Sequence, residues 1–202
     1  MDLNNILGVV LAGGKSQRFG TDKSQVKLQN KLLIDYILEE IISQFNEILI
    51  IANNQINFRQ SENISVIKDF KTGLGPLGGI LTAMKWIKEN NKRYEWISTF
   101  PSDSPFFTEK ELKYFYENIK INESKLFFMK SKETRHNIFG LWSIDLIDQL
   151  EDDILKGDRK IETWANSIGV NIIDIDYKNV DPFFNINTKD DLKEAAKIMK
   201  HD

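Results

Sequence analysis

The chain has 202 residues, of which 41% are hydrophobic and 28% are charged, a composition typical of globular proteins. Its 27 basic and 30 acidic side chains are scattered along the sequence, so the formal charge is -3 and no basic block could follow a phosphate backbone. Nucleic acid is therefore not an expected partner. Because the chain has no cysteine, disulfides, thiolate metal sites and cysteine nucleophiles are excluded.

Several features of the sequence predict a cytoplasmic location. The first five residues lack the positive region of a signal peptide, and the apolar run 6–12 ends in glycines rather than in a cleavage site. The longest apolar runs are far shorter than the ~20 residues that a transmembrane helix needs. We therefore expect neither export nor a membrane partner, and the lack of cysteine agrees with a reducing compartment.

Apolar runs and helical periodicities alternate through the first half of the chain. Residues 6–12 form a continuous apolar run, typical of a parallel strand that is buried on both faces. Residues 32–42 have apolar positions three and four apart, which predicts an amphipathic helix. Further predictions are strands at 48–52, 64–67 and 96–100 and a helix at 77–89. This order predicts an α/β fold, a Rossmann-like three-layer α/β/α sandwich with a mostly parallel sheet.

The second half of the chain has a less regular pattern. Capping boxes that begin at Thr108 and Thr188 predict helices to about residues 118 and 199. Between them we predict strands at 125–129, 138–142 and 170–175 and helices at 144–151 and 161–167. We expect residues 1–202 to form one domain, with an NTP-binding half of about 1–107 and an acceptor-binding half of about 108–202.

The first predicted strand leads into a glycine pair and a cationic segment. Gly13 and Gly14 allow backbone N–H groups to approach a ligand closely, and Lys15, Arg18 and Lys23 supply positive charge that a triphosphate requires. A glycine pair alone is more often a turn without a ligand. The cations that follow it, at the carboxyl end of a first parallel strand, favour nucleotide binding.

Two familiar phosphate motifs fit this sequence poorly. Residues 14–16 match the end of a P-loop, but Val9 stands where its first glycine should be. Residues 73–78 match G-x-G-x-x-G, yet Pro76 cannot donate an N–H to a pyrophosphate. We assign a nucleotide site to neither motif.

Two aspartates follow predicted strands. Asp103 lies between Pro101 and Pro105, and such a stiff turn could present a carboxylate to a Mg²⁺ ion that also binds nucleotide phosphates. An Asx-turn or a helix cap would explain the same pattern. Asp69 ends the third predicted strand just before the glycine-rich turn 73–79, where it could contact ribose or metal or serve only as a turn residue.

Basic residues in the second half of the chain are candidates for binding an acceptor. Arg135 and His136 precede a predicted strand and could contact an anion or a pterin, although a solvated loop is the default interpretation. Arg159 and Lys160 could close on an acceptor phosphate, or simply form the charged start of a helix.

These residues together resemble a known signature. Residues 11–23 are similar to the L-A-G-G-x-x-x-R-x-G-x-D-K signature of nucleotidyltransferases with a glycosyltransferase-A-like (nucleotide-diphospho-sugar transferase-like) fold. Three further segments follow in the order of that superfamily, namely Asp69 with 75–79, then 101–105, then 184–188. The short length, the segment 157–160 and the Asn-Ile-Asn-Thr sequence at 185–188 most resemble the molybdenum cofactor guanylyltransferases, which synthesise molybdopterin-guanine dinucleotide.

The resemblance implies a reaction and a set of site residues. GTP and the molybdopterin-bound molybdenum cofactor would give the guanine dinucleotide form and pyrophosphate, with Mg²⁺ as cofactor and with transient contacts to cofactor-biosynthesis or molybdoenzyme proteins. Catalytic roles would fall on Lys23, Arg18 and Asp103, with Asp103 as the metal ligand. Nucleotide binding would fall on Leu11, Ala12, Gly13, Gly14, Lys23, Asn53, Asp69 and Asp103. Acceptor binding would fall on Arg135, His136, Arg159, Lys160, Asn185 and Asn187.

The sequence departs from the family pattern mainly on the acceptor side. Residues 52–54 are Ala-Asn-Asn where the family has Asn-Ala-Asn, and no proline follows His136. The chemical identity of the acceptor is therefore not determined by the sequence. The preference for guanine over cytosine rests on the resemblance alone. The alternatives are a cytidylyltransferase or sugar-phosphate nucleotidyltransferase of the same fold, and a non-catalytic nucleotide-binding adaptor.

Overall fold

The computed structural model describes residues 3–13 and 26–200, and its centre is one seven-stranded sheet. A separate two-stranded hairpin lies beside it. The strands are β1 Ile6–Leu11, β2 Lys27–Leu28, β3 Lys31–Leu32, β4 Ile48–Ile51, β5 Ile64–Ile67, β6 Trp96–Pro101, β7 Leu126–Ser131, β8 Thr134–Ser143 and β9 Asn171–Asp174. The helices are α1 Leu33–Ile41, α2 Gly75–Glu89, α3 Glu109–Asn118, α4 Ile147–Lys156, α5 Ile161–Ile168 and α6 Lys189–Ile198, and short 3-10 turns cover Leu3–Asn5 and Ile144–Leu146.

The large sheet is mostly parallel, as predicted. Its strand order is β5-β4-β1-β6-β8-β7-β9, and every neighbouring pair is parallel except the two pairs that include β8. The chain leaves β1 toward β4 and β5 and later returns to the other side of β1 as β6. This reversal is the point at which open α/β sheets bind ligands.

Helices cover both faces of the sheet, which confirms the predicted three layers. Alternate residues of β1 enter different cores: Leu7 and Val9 pack with α2, α4 and α5, whereas Ile6 and Val10 pack with α1 and α3. A third, smaller cluster joins the β2–β3 hairpin to α6 around the fully buried Ile186. Of the helices in the described ranges, none has the length and apolar character needed to cross a membrane.

The local signals at the predicted helix starts are confirmed. Thr108 and Thr188 each form a complete capping box, in which the hydroxyl accepts from a backbone N–H of the first turn and an acidic side chain accepts from the threonine N–H. At the other end of α4, Gly157 has a φ of 116°, a conformation that glycine adopts without strain.

Several predicted boundaries were wrong, and one element was missed. Helix α2 begins at Gly75 rather than Leu77, since Pro76 fits the first turn of a helix, where no N–H is needed. The predicted helix 144–151 is a 3-10 turn followed by α4, which continues to Lys156. Asp69 lies two residues beyond the end of β5 rather than at its last position. The β2–β3 hairpin was missed because each of its strands has only two residues.

Strand β8 shows the largest difference between the predicted and the observed elements. It begins at Thr134, so Arg135 and His136 lie in a strand rather than in a solvated loop before one. These residues pair with the end of β7 across a two-residue turn, with an irregularity in the register after Phe128. Polar side chains hid this part of the strand, which extends beyond the residues of β8 that pair with β6 and pairs with β7 alone.

Candidate functional site

Four of the predicted nucleotide contacts follow four neighbouring strands. Gly13 lies beyond β1, Asn53 beyond β4, Asp69 beyond β5 and Asp103 beyond β6, and these strands are adjacent in the sheet. Because parallel strands end at one edge, the four residues form a row of roughly 14 Å at a strand spacing of ~4.8 Å. We call this edge the ligand edge. The switch in strand order falls between β1 and β6, beside Gly13 and Asp103.

Asn53 and Asp69 are held together at one end of this row. The Asn53 side-chain amide donates to Asp69 Oδ2 at 2.8 Å. A Cβ atom placed on Gly13 would lie 3.7 Å from the same Asp69 oxygen and 3.8 Å from Asn53 Nδ2, so the three residues surround one small space. The glycine therefore keeps the backbone of residue 13 open toward both polar groups.

The other oxygen of Asp69 lies against helix α2. Asp69 Oδ1 is buried without a hydrogen-bond partner among the described residues, and a Cβ placed on Gly79 would lie 3.5 Å from it. The position near the amino end of α2 favours a carboxylate, because the helix dipole is positive there. Helix α2 and Asn53 thus fix the orientation of the Asp69 carboxylate.

The cationic part of the signature lies outside the described residues. Gly14, Lys15, Arg18 and Lys23 all fall in the interval 14–25, and their predicted roles stay predictions. The described chain resumes at Val26, which is buried and whose carbonyl accepts from the Leu33 N–H at 3.1 Å.

Asp103 lies in a half-buried turn that is joined to a distant segment. Its backbone carbonyl accepts the N–H of Ile186 at 2.9 Å, and the hydroxyl of its buried neighbour Ser104 donates to the side-chain oxygen of Asn185. The turn after β6 and the segment before α6 therefore form one unit. Sequence analysis selected Asp103 and Asn185 separately, and the Ser104 contact that connects them was missed.

Arg135 and His136 do not lie together, because successive residues of β8 point to opposite faces of the sheet. The Arg135 guanidinium contacts Asn137 Oδ1 and Asn166 Oδ1, both at 2.7 Å, and the Glu162 carbonyl at 3.4 Å. It also lies 5.7 Å from the centre of the Phe128 ring. Arg135 thus connects β8 to α5.

His136 faces the other core. Its Nε2 lies 2.7 Å from the hydroxyl of the buried Ser131, and its ring stacks on Phe183 with centroids 3.9 Å apart and an interplanar angle of 13°. Burial lowers the pKa of His136 below its usual value of 6.5, while the negative charge of Asp181 acts in the opposite direction. The neutral imidazole is therefore favoured in the folded protein.

Arg159 and Lys160 are exposed in the junction between α4 and α5. Arg159 Nη1 donates to the carbonyls of Ile154 and Asp158, both at 2.6 Å. A Cβ placed on Gly75 would lie 3.5 Å from the Arg159 carbonyl, so this junction touches the start of α2. Since α2 begins after β5, the junction lies at the ligand edge.

Asn187 begins the last turn before α6. It is exposed, and its N–H donates to the Asp191 carboxylate at 2.8 Å, alongside the capping box. The chain runs from the end of β9 through residues 175–188, and β9 ends at the ligand edge because it is parallel to β7. The topology thus brings every predicted site residue in the described ranges to one edge of the sheet.

No described group of three or more histidine, aspartate and glutamate side chains could hold a metal by itself. Asp103 offers a single half-buried carboxylate beside the switch in strand order. Mg²⁺ in nucleotide sites commonly uses one or two carboxylates and takes its other ligands from phosphates and water. The donor set at Asp103 fits that ion better than an ion that needs a complete protein cage.

The fold and this edge define a class, namely proteins that bind a nucleotide across the carboxyl ends of a doubly wound sheet. The fold is similar to that of a solved structure with a TM-score of 0.76 and 24% sequence identity. That structure is molybdopterin-guanine dinucleotide biosynthesis protein A from Archaeoglobus fulgidus. The match covers 97% of this chain and all of that one.

The sequence matches identify the family. The family model for the MobA-like NTP transferase domain matches residues 8–171. A molybdenum cofactor guanylyltransferase of Yersinia pseudotuberculosis is 32% identical over 189 residues, 93% of each chain, and one of Rhizobium rhizogenes is 31% identical over 94% of this chain and 90% of its own. The chain belongs to the MobA-like NTP transferase family, and it is a nucleotidyltransferase.

Proposed function

We propose that this nucleotidyltransferase transfers the GMP unit of GTP to the molybdopterin-bound molybdenum cofactor. The observation that carries the proposal is the row Gly13, Asn53, Asp69 and Asp103 at the ligand edge, in a chain with relatives named molybdenum cofactor guanylyltransferase. A phosphate oxygen of the acceptor forms a bond to the α-phosphorus of GTP. The bond from that phosphorus to the bridging oxygen breaks, and pyrophosphate leaves with the electron pair.

The nucleoside would lie across the ends of β1, β4 and β5. Leu11, Ala12 and Gly13 would offer backbone groups, and the sequence predicts the same for Gly14. Asn53 and Asp69 offer side chains that are already oriented by their 2.8 Å hydrogen bond. An oriented pair loses little side-chain entropy when a ligand binds. Selection of guanine by backbone groups would leave no mark in the side chains, which is why the base was not evident from sequence.

Charge stabilisation is assigned to Lys23 and Arg18. Both would face the phosphates, where negative charge develops and departs with pyrophosphate. The attacking phosphate monoester has a second pKa of about 6 and is already an anion at neutral pH, so no strong general base is required. His136 is held by the Ser131 hydroxyl and the Phe183 ring, and we assign it no proton transfer.

Asp103 is the residue that would hold Mg²⁺. When bound, the ion would neutralise charge on the nucleotide phosphates. The link from the Asp103 carbonyl to Ile186 fixes the turn that presents the carboxylate, so the protein supplies an oriented ligand at the boundary between nucleotide and acceptor.

The acceptor would lie on the side of the sheet edge toward β8. Asn185 and Asn187 flank Ile186, whose N–H donates to the Asp103 carbonyl, whereas Arg159 and Lys160 lie beside the start of α2, from which they would reach the acceptor phosphate across the nucleotide. We assign these four residues to the acceptor. Arg135 and His136 already contact protein groups, which favours an indirect part in acceptor binding.

Nucleotide binding provides the first test. Titration calorimetry with GTP, CTP, ATP and UTP in the presence of Mg²⁺ should show preference for GTP, and Asp103→Ala should abolish metal-dependent binding. Chromatography should then detect the guanine dinucleotide product and pyrophosphate with the molybdopterin cofactor as acceptor.

Asp145→Ala is a suitable control, because Asp145 is an exposed carboxylate at the opposite edge of the sheet, paired with Lys125 at 3.2 Å. It should bind GTP as the unaltered protein does. Preference for CTP would indicate a cytidylyltransferase, and turnover with a sugar phosphate would indicate that alternative. Nucleotide binding without pyrophosphate release from any acceptor would indicate an adaptor.

A further inference from the structure

Residues 181–187, here called the acceptor strap, cross the ligand edge and include Asn185 and Asn187. The strap contains no helix or strand, and the N–H groups of Phe183 and Phe184 donate to Asp181 within the strap itself, which does not anchor it to the sheet. Its position must therefore be set by contacts with the elements around it.

The carboxyl end of the strap is fixed to the metal-binding turn. Ile186 donates its N–H to the Asp103 carbonyl at 2.9 Å, Asn185 accepts from Ser104, and the Ile186 side chain is fully buried against the β2–β3 hairpin and α6. A shift of the strap would therefore move the Asn185 amide and the Asp103 turn together.

The amino end of the strap is fixed by Phe183, which is only 3% exposed. One face of its ring lies on the imidazole of His136, at 3.9 Å and nearly parallel. Phe139 and Phe107 contact it at centroid distances of 5.0 and 6.0 Å. Phe107 belongs to the segment that follows Asp103, so Phe183 packs between β8 and the metal-binding turn.

His136 is itself held by the sheet. It pairs with Met129 in the β7–β8 ladder, and its Nε2 contacts the hydroxyl of Ser131, which is only 3% exposed. A ring fixed by backbone pairing and by a side-chain hydrogen bond provides a rigid surface for Phe183.

We propose that His136 is a positioning residue for the acceptor, acting through Phe183 on the strap that carries Asn185 and Asn187. This role rests on the proposed guanylyl transfer. It assigns no contact with the nucleotide, because Gly13, Asn53 and Asp69 lie beyond strands on the far side of β6.

The test compares two substitutions at this position. His136→Ala removes the stacked ring and should lower kcat/KM for the molybdopterin cofactor by about tenfold to a hundredfold, as a misplaced binding group does. The dissociation constant for GTP measured without Mg²⁺ should stay within about twofold, because Gly13, Asn53 and Asp69 follow strands on the far side of β6 from the strap. His136→Phe keeps an aromatic face for Phe183 and should recover most of the lost kcat/KM.

Amide hydrogen exchange supplies a measurement that does not need turnover. The Ile186 N–H, bonded to Asp103, should exchange faster in His136→Ala than in the unaltered protein and should be slow again in His136→Phe. Leu146→Ala is the control for general loss of stability, because it opens a cavity at the opposite edge and should leave Ile186 exchange and acceptor kinetics unchanged at temperatures well below unfolding.

The outcomes separate this role from the proposed function. If the unaltered enzyme forms no guanine dinucleotide, guanylyl transfer is wrong, and Ile186 exchange still decides whether His136 fixes the strap. If product forms but His136→Ala changes neither Ile186 exchange nor acceptor kinetics, the positioning role is wrong. A His136→Phe variant as impaired as His136→Ala would point to direct contact between the imidazole and the acceptor and would equally overturn the proposal.

Discussion

Lys23 is one of the two cationic residues that we propose bind the phosphates of GTP. Loss of one contact that stabilises transition-state charge commonly costs about 10²–10³ in kcat. Lys23→Ala should therefore fall in that range while its thermal unfolding stays close to that of the unaltered protein. Steady-state turnover measures the effect, with Lys125→Ala, a lysine at the opposite edge, as the control. Near-normal turnover by Lys23→Ala would remove the assignment.

Asn53 and Asp69 should act as a pair. Each side chain orients the other through the 2.8 Å hydrogen bond, so Asn53→Ala and Asp69→Ala should each weaken GTP binding by about tenfold, and the double substitution by less than the product. Calorimetry on the four proteins gives the coupling energy. Strictly additive losses would mean that the hydrogen bond has no part in orienting the two groups.

At the residue scale, sequence analysis selected polar residues that follow strands, and the structure places them at one edge. It could do so for Asn53, Asp69 and Asp103 because the carboxyl ends of parallel strands share an edge. It could not place Arg135 and His136, whose opposite orientations depend on a strand hidden by polar side chains. Nor could it find Phe183 and Ser104, because their importance comes from contacts between residues that are distant in sequence.

Two capping boxes allow one experiment at the scale of the element. Thr108→Ala and Thr188→Ala each remove a hydroxyl that caps a helix, and each should lower the free energy of unfolding by about 1 kcal/mol. Only Thr188 adjoins Asn187 in the strap. We therefore expect Thr188→Ala alone to raise KM for the acceptor, as measured by initial rates. An unchanged KM for the acceptor in Thr188→Ala would show that the cap of α6 does not help to fix the strap.

Among the elements, the long apolar strands and capped helices were predicted to within about two residues, because burial and capping leave local signals. The β2–β3 hairpin and the first part of β8 were not. A strand of two residues gives no periodicity. The first residues of β8 pair with the end of β7 across a short turn and carry no apolar run. The order of strands in the sheet depends on pairing between segments that are distant in sequence, so local sequence patterns could not predict it.

At the scale of the whole molecule, stability should depend on pH through His136. The folded protein lowers the pKa of this ring by burial, against the opposing charge of Asp181, so as pH falls the unfolded chain binds a proton first. The free energy of unfolding should therefore decline as pH drops from about 6.5 through the folded-state pKa, and this contribution should be constant above that window.

Urea denaturation between pH 5 and 8 measures this dependence. In His136→Phe the same part of the curve should be flatter, because no group titrates at that position. The difference between the two curves isolates the imidazole from the carboxylates, which both proteins share. Parallel curves would show that burial does not perturb His136.

The reversed direction of β8 gives this fold a site of tolerated variation. Because β8 runs against its neighbours, the turn at 132–133 that joins it to β7 lies at the ligand edge, and Lys132 there already has a φ of 50°. Most hairpin turns can be lengthened without disturbing the ladder behind them. An insertion at this turn would therefore place new side chains beside β8 at the ligand edge while leaving the strands that carry Gly13, Asn53 and Asp69 unchanged.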